Sequence, residues 1–187
     1  IKTHKFIHPD IHFSFPVVKK DGKNRNETTS NDFLHEWRKI LVTNPYLDMK
    51  TWLHSLNLEN GQANINVKEC VEIVKKLGLK TFESEYKVLI MWMPEYLRNE
   101  GNRLLKLIEE PPENTLILFV AEKQDAILNT ILSRVQLLKV PPFVDTEIKS
   151  YLEEHHNVQA NEADQFVGIA AGNMNMALNL AHQNTVN

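Results

Sequence analysis

Two nearly unbroken apolar runs constrain this chain more than any other feature: Lys87-Val88-Leu89-Ile90-Met91-Trp92-Met93, closed by Pro94, and Leu116 to Ala121. A half-buried strand alternates apolar and polar residues, whereas a run without polar interruption suits a parallel-sheet strand covered on both faces. Between the runs lies a helical pattern, with Leu97, Gly101, Leu104, Leu105 and Ile108 on one side. It stops at Pro111-Pro112, because proline lacks the N–H that a helix interior needs. Val135 to Val140 follows a helical turn over Ile127 to Leu132, precedes Pro141-Pro142, and reads as a third strand. Strand–helix alternation up to Pro142 therefore predicts an α/β layer built on a parallel sheet.

The flanks extend this plan. Ile11 to Val18, around Phe13 and Phe15, reads as a short strand running into a polar loop from Lys19 to Asn26. From Ser30 to Val42, Phe33, Leu34, Trp37, Ile40 and Leu41 recur at helical spacing; Asn44-Pro45 breaks that helix, and Tyr46 to Leu56 suggests a second short one. Residues from about 21 to 64 thus read as a helical insertion, whose Trp37 and Trp52 pack its helices together. Asn66 caps a further helix with Val67, Cys70, Val71 and Val74 on one stripe, ending at Gly78. Beyond Asp145 no strand signal remains, and Thr146 to His155, Asn161 to Ala171 and Asn173 to Gln183 read as three short helices. The predicted organisation is an α/β domain over 1–142 and a small helical domain over 143–187.

Several chemistries are excluded by what these residues lack. A net charge of -3, from 21 Lys+Arg against 24 Asp+Glu, is not that of a basic nucleic-acid neutraliser. Cys70 is the only cysteine, so there is neither an internal disulfide nor a multi-cysteine zinc site, and a reducing cytoplasm is the simplest home. No apolar run approaches the roughly 18 residues that span a bilayer, and the start Ile1-Lys2-Thr3-His4 is not a signal peptide. None of the six glycines stands in a phosphate-loop pattern. The run ending Trp92-Met93-Pro94 offers no carboxylate for magnesium, with Glu95 already beyond it. His4, His8 and His12 would align only on a continuous helix, which Pro9 interrupts, so no metal site is expected.

Two segments carry more specific information: Asn102-Arg103-Leu104-Leu105-Lys106-Leu107-Ile108-Glu109-Glu110-Pro111-Pro112, and Thr130-Ile131-Leu132-Ser133-Arg134-Val135. Taken alone, Arg134 reads as a solvated surface residue. Separated by one strand, however, the segments resemble the AAA+ subunits of the bacterial sliding-clamp loader of DNA polymerase III, with Val135 where the family has cysteine. The likeness runs from about His8, in His8-Pro9-Asp10, to the carboxyl terminus, omitting about Lys20 to Asn64.

The resemblance implies a partial AAA+ (P-loop NTPase-like) fold followed by its three-helix lid. Trp92 and Met93 stand where an active motor has its acidic Walker B pair, Ala121 and Glu122 where it has sensor-1 threonines, and Asn175 at the sensor-2 arginine. Within the family the delta-prime type fits best. Arg134, with Ser133 in the same motif, would then be an arginine finger acting in trans on ATP-Mg held by a neighbouring subunit. The chain itself would take no cofactor and hydrolyse nothing. It would be a stator of the holoenzyme, joining gamma/tau motor subunits and the delta subunit to load the sliding clamp on primer-template DNA. The phosphate-loop region and a cysteine-rich module that could hold zinc would lie upstream of Ile1, and a collar domain downstream. The alternatives are an ATP-hydrolysing gamma/tau-type motor subunit and a non-replicative protein-interaction module.

Overall fold

The computed structural model describes residues 2–58 and 61–185; Ile1, residues 59–60 of the insertion and the last two residues lie outside it. Three strands, β1 (Ile11–Ser14), β2 (Lys87–Trp92) and β3 (Thr115–Val120), form a parallel sheet in the order β1-β2-β3. Ile11 pairs with Val88 at one side of β2, and Lys87 through Trp92 pair with Thr115 through Val120 at the other. Parallel neighbours cannot be joined by a tight turn, so long connections cross between them. The first holds the excursion and helix α3 (Val67–Leu77); the second holds a 3₁₀ segment over Pro94–Leu104 and α4 (Leu105–Glu109).

One sheet face is packed. Leu89 and Met91 share a core with Cys70, Ile73 and Leu77 of α3, Leu97 and Leu104, and Ile131 of α5 (Asn129–Leu132), with Ile117 and Phe119 against it. The opposite face is closed less completely: Leu116, Leu118 and Val120 of β3 are each close to half exposed. The continuous apolar run of β3 is thus covered on one side only among the described residues.

Three expectations are corrected. Val135 to Val140 is not a strand: it joins no ladder, and Leu138 and Val140 are almost fully exposed. A strand needs a partner edge as well as a pattern, and none of the described strands pairs with it. The expected helix through Leu97 and Ile108 is instead 3₁₀ up to Leu104, broken at Arg98 (φ 50°, ψ −133°), and α-helical only afterwards. Apolar residues three and four apart fit both geometries, so the pattern did not separate them. On α3 the buried face is Glu69, Cys70, Ile73 and Leu77, while Val67, Val71 and Val74 face outward. Asn66 caps the helix as expected, its side chain accepting from Glu69 N at 3.0 Å.

Glu69 lies on that buried face with Cys70, Ile73 and Leu77. Its buried carboxylate meets Ser30 of the excursion, Oε2 accepting from Ser30 N at 2.7 Å and Oε1 lying 2.5 Å from Ser30 Oγ, which in turn reaches Phe13 O at 3.2 Å. The excursion forms α1 (Leu34–Thr43) and α2 (Met49–Ser55), as the spacing predicts. Phe15 stacks on Trp37 at 4.1 Å, Trp52 meets Trp37 edge-on at 5.1 Å, and Trp52 Nε1 donates to Pro16 O at 3.0 Å.

A second compact unit contains α6 (Asp145–His156), α7 (Ala160–Ala170) and α8 (Met174–Thr185), packed through Ile148, Leu152, Phe166, Ala177 and Leu178. It begins at Leu138 and also takes in Asn44–Met49, which the sequence reading leaves with the first domain. The break at Asn44-Pro45 frees a short segment whose Tyr46 meets Phe143 at 5.4 Å and Tyr151 at 6.0 Å, both edge-on. Asn44 Nδ2 donates to Asn175 Oδ1 at 2.8 Å. No described helix is long and apolar enough to cross a membrane.

Two predictions follow from this packing. Burial pushes the Glu69 carboxyl up, outweighing its bonds to Ser30, so the protonated form is favoured in the fold. Because the folded value lies above the unfolded one, this stabilisation is complete below about pH 4.5 and is lost as pH rises through the folded value. Glu69→Gln reproduces the protonated donor and acceptor pattern, so urea titrations across pH should show a flatter stability profile; an unchanged slope contradicts this. Tyr46→Ala should destabilise the helical unit by roughly 1–3 kcal/mol, read as faster amide exchange in α6 to α8.

Candidate functional site

Ligands of parallel sheets sit beyond the carboxyl ends of the strands, and there β2 ends in Trp92 opposite Val120 of β3. The Trp92 ring lies 5.1 Å from that of Trp37 of the excursion, tilted by 47°. Met93 follows in a left-handed conformation (φ 54°), buried, its N–H donating to Val120 O at 2.7 Å. Both positions are therefore occupied by packed apolar side chains, which offer no ligand to a hard cation. Among the described residues, no group of three or more His, Cys, Asp or Glu could hold a metal ion.

The acidic residue three positions past this strand end has another task. Glu95 is buried, and its Oε1 accepts from the backbone N–H groups of Glu122 at 3.1 Å and Lys123 at 3.2 Å. It thereby fixes the turn leaving β3, on which Ala121 and Glu122 are exposed. Trp92, Met93, Ala121 and Glu122 are thus brought to one end of the sheet. Asn175 belongs to the helical unit, where it is buried and bound to Asn44. The role of Glu95 and the contact of Trp37 with Trp92 are not legible in the sequence; Glu95 follows a strand end by three residues, and that position is its one signal.

Ser133 and Arg134 lie past the end of α5. Ile131 is 1% exposed and sits over Gly101, where an added Cβ would come within 2.8 Å of Ile131 Cδ1. Arg134 N donates to Ile131 O at 2.9 Å, so the backbone beneath the arginine is tied to a core residue. The guanidinium itself is on the surface. Nε donates to Glu109 Oε1 at 2.5 Å, and Nη1 donates to Thr130 O at 2.7 Å and Ser133 Oγ at 3.2 Å. Exposed pairs of this kind contribute about 0–1 kcal/mol to stability, so the arrangement orients a cation more than it holds the fold.

The remaining singled-out residues are structural. Asp10 of His8-Pro9-Asp10 accepts from the backbone N–H groups of Phe82, Glu83 and Ser84 at 2.6–2.9 Å, fixing the loop before β2. His8 Nδ1 accepts from Asp10 N at 3.1 Å. Cys70 is in the core, and burial pushes its thiol up to about 12. It should therefore resist a disulfide reagent at pH 8 in the folded protein and react once urea is added; fast native labelling contradicts this.

Comparison with known proteins adds to this geometry. Residues 2–144 match the family model described as DNA polymerase III, delta subunit. The chain is 32% identical over 83 residues to DNA polymerase III subunit delta' of Bacillus subtilis, covering 44% of this chain and 25% of the relative. It is 30% identical over 95 residues to DNA polymerase III subunit gamma of Buchnera aphidicola, covering 50% of this chain and 26% of the relative. These matches span about a quarter of the length of either relative. The crystal structure of a DNA polymerase III gamma subunit-related protein from Thermotoga maritima superposes with a TM-score of 0.51 at 17% identity, over 97% of this chain and 47% of that one. That likeness shows the fold, an α/β domain with a parallel sheet followed by helices. With that family model matched over residues 2–144, the chain belongs to the DNA polymerase III delta-subunit family.

Proposed function

We propose that the chain is part of a delta-prime-type stator, a subunit that hydrolyses no ATP itself and offers Arg134 to ATP-Mg bound by a neighbour. The observation that carries this reading is the carboxyl end of β2, where Trp92 packs on Trp37 and Met93 is buried. Those side chains do not fit a magnesium-bound phosphate. Arg134, by contrast, is a surface cation on a backbone tied to the core. A guanidinium near a neighbour's γ-phosphate would offset the charge that develops during transfer. Gamma/tau-type motor subunits and a delta subunit are the proposed partners, and the sliding clamp and primed DNA are reached through the assembly. The proposed setting is the cytoplasm.

The likeness to a gamma subunit favours one other reading, an ATP-hydrolysing motor. Magnesium-dependent hydrolysis by the isolated full-length subunit would establish it, and Trp92 and Met93 oppose it. Family membership leaves an unrelated interaction module without support.

Arg134→Ala, introduced into the full-length subunit and reconstituted into the loader, tests the stator reading. Arginine fingers are worth about 10³–10⁵ in rate, so the loader should lose the clamp- and DNA-stimulated turnover of one ATP site while still assembling. Turnover equal to wild type contradicts the finger.

A further inference from the structure

The two segments that stood out in the sequence meet in the structure, and the finger reading uses only one of them. Pro111 follows Glu110, which has left helical geometry (φ −129°, ψ 69°), and α4 therefore ends on Glu109. A carboxylate there faces the carbonyl end of a helix, where aligned peptide dipoles disfavour negative charge, and Glu110 adds a second like charge. Glu109 is also half exposed, so neither helix stability nor core packing accounts for it. What it does is receive Arg134 Nε at 2.5 Å from 25 residues along the chain.

The segments are joined at their other ends too, with Thr130 Oγ1 donating to Asn102 Oδ1 at 3.4 Å. Glu109 takes Nε of the guanidinium, while Thr130 O and Ser133 Oγ take Nη1. Three acceptors on two elements thus determine the plane of the group, and Nη2 is the nitrogen that these bonds leave for an external anion. The rigid double proline after Glu110 fixes where α4 stops, and with it where Glu109 stands.

We propose that Glu109 is a positioning residue for Arg134, setting the guanidinium so that its Nη2 edge is offered to a phosphate of the neighbouring subunit. This role rests on the finger reading. Glu109 touches no reacting atom; it acts by restricting the arginine to one orientation, and misplacing a reacting group by about 1 Å can cost 10²-fold in rate.

The test uses the full-length subunit in a reconstituted loader whose ATP sites are disabled except the one beside this subunit. Turnover is measured for Glu109→Ala, Glu109→Gln, Arg134→Ala and the Glu109→Ala/Arg134→Ala double variant, with the thermal midpoint of each. Arg134→Ala should abolish stimulated turnover. Glu109→Ala should lower kcat roughly ten- to a hundredfold with KM for ATP and the thermal midpoint unchanged. Glu109→Gln, which keeps an oxygen acceptor, should restore most of the rate, and the double variant should be no slower than Arg134→Ala alone. Wild-type kcat in Glu109→Ala beside a dead Arg134→Ala overturns the positioning role and leaves the finger standing. Equal loss in Glu109→Gln and Glu109→Ala, or a double variant slower than Arg134→Ala, also overturns it. Wild-type turnover in Arg134→Ala removes the finger reading, and the positioning role with it.

Discussion

The parallel pairing of β2 with β3, from Lys87 opposite Thr115 to Trp92 opposite Val120, is the constraint on which the α/β unit depends. It aligns the carboxyl ends of both strands, so Met93 N can close onto Val120 O and Glu95 can hold the backbone of Glu122 and Lys123. It also forces a long crossover, and that crossover carries Gly101 and α4 to the packed face. Ile131 then seats over Gly101, and Arg134 and Glu109 are carried by elements anchored to one core. A surface cation acquires a defined position because buried apolar area beneath it, at about 25 cal/mol per Å², holds the backbone that bears it.

The same pairing sets what occupies the carboxyl end of β2. Trp92 and Met93 fill it with side chains that prefer to be dry. Trp92 finds its aromatic partner in Trp37, so the excursion between β1 and α3 is joined to this end of the sheet by an edge of its own Phe15, Trp37 and Trp52 cluster. Glu95, three residues past the end of β2, gives its Oε1 to backbone donors.

Much of the architecture was legible because it rests on local patterns. The runs around Leu89 and Leu118 are strands, the excursion is helical, Asn66 is a cap, and the tail is three helices. What failed depends on partners that a linear pattern does not contain. Val135 to Val140 has strand composition without a pairing edge. α3 carries two apolar stripes, and the bond between Glu69 and Ser30, 39 residues apart, belongs with the one that is buried. Asn44–Met49 joins the helical unit through Tyr46, a long-range packing choice. At the candidate site, Ser133 and Arg134 could be singled out by motif, whereas Glu109 as the arginine's partner required the fold.

On the stator proposal, this chain contributes chemistry to a nucleotide it does not itself hold. A structure of the full-length subunit in the assembled loader, determined with an ATP analogue and primed DNA, tests it most directly. The Arg134 guanidinium should then lie within about 3 Å of a γ-phosphate oxygen of the neighbouring subunit's nucleotide, with Trp92 still packed on Trp37. Nucleotide bound at the carboxyl ends of β2 and β3 of this chain, with Arg134 remote from any phosphate, would contradict it.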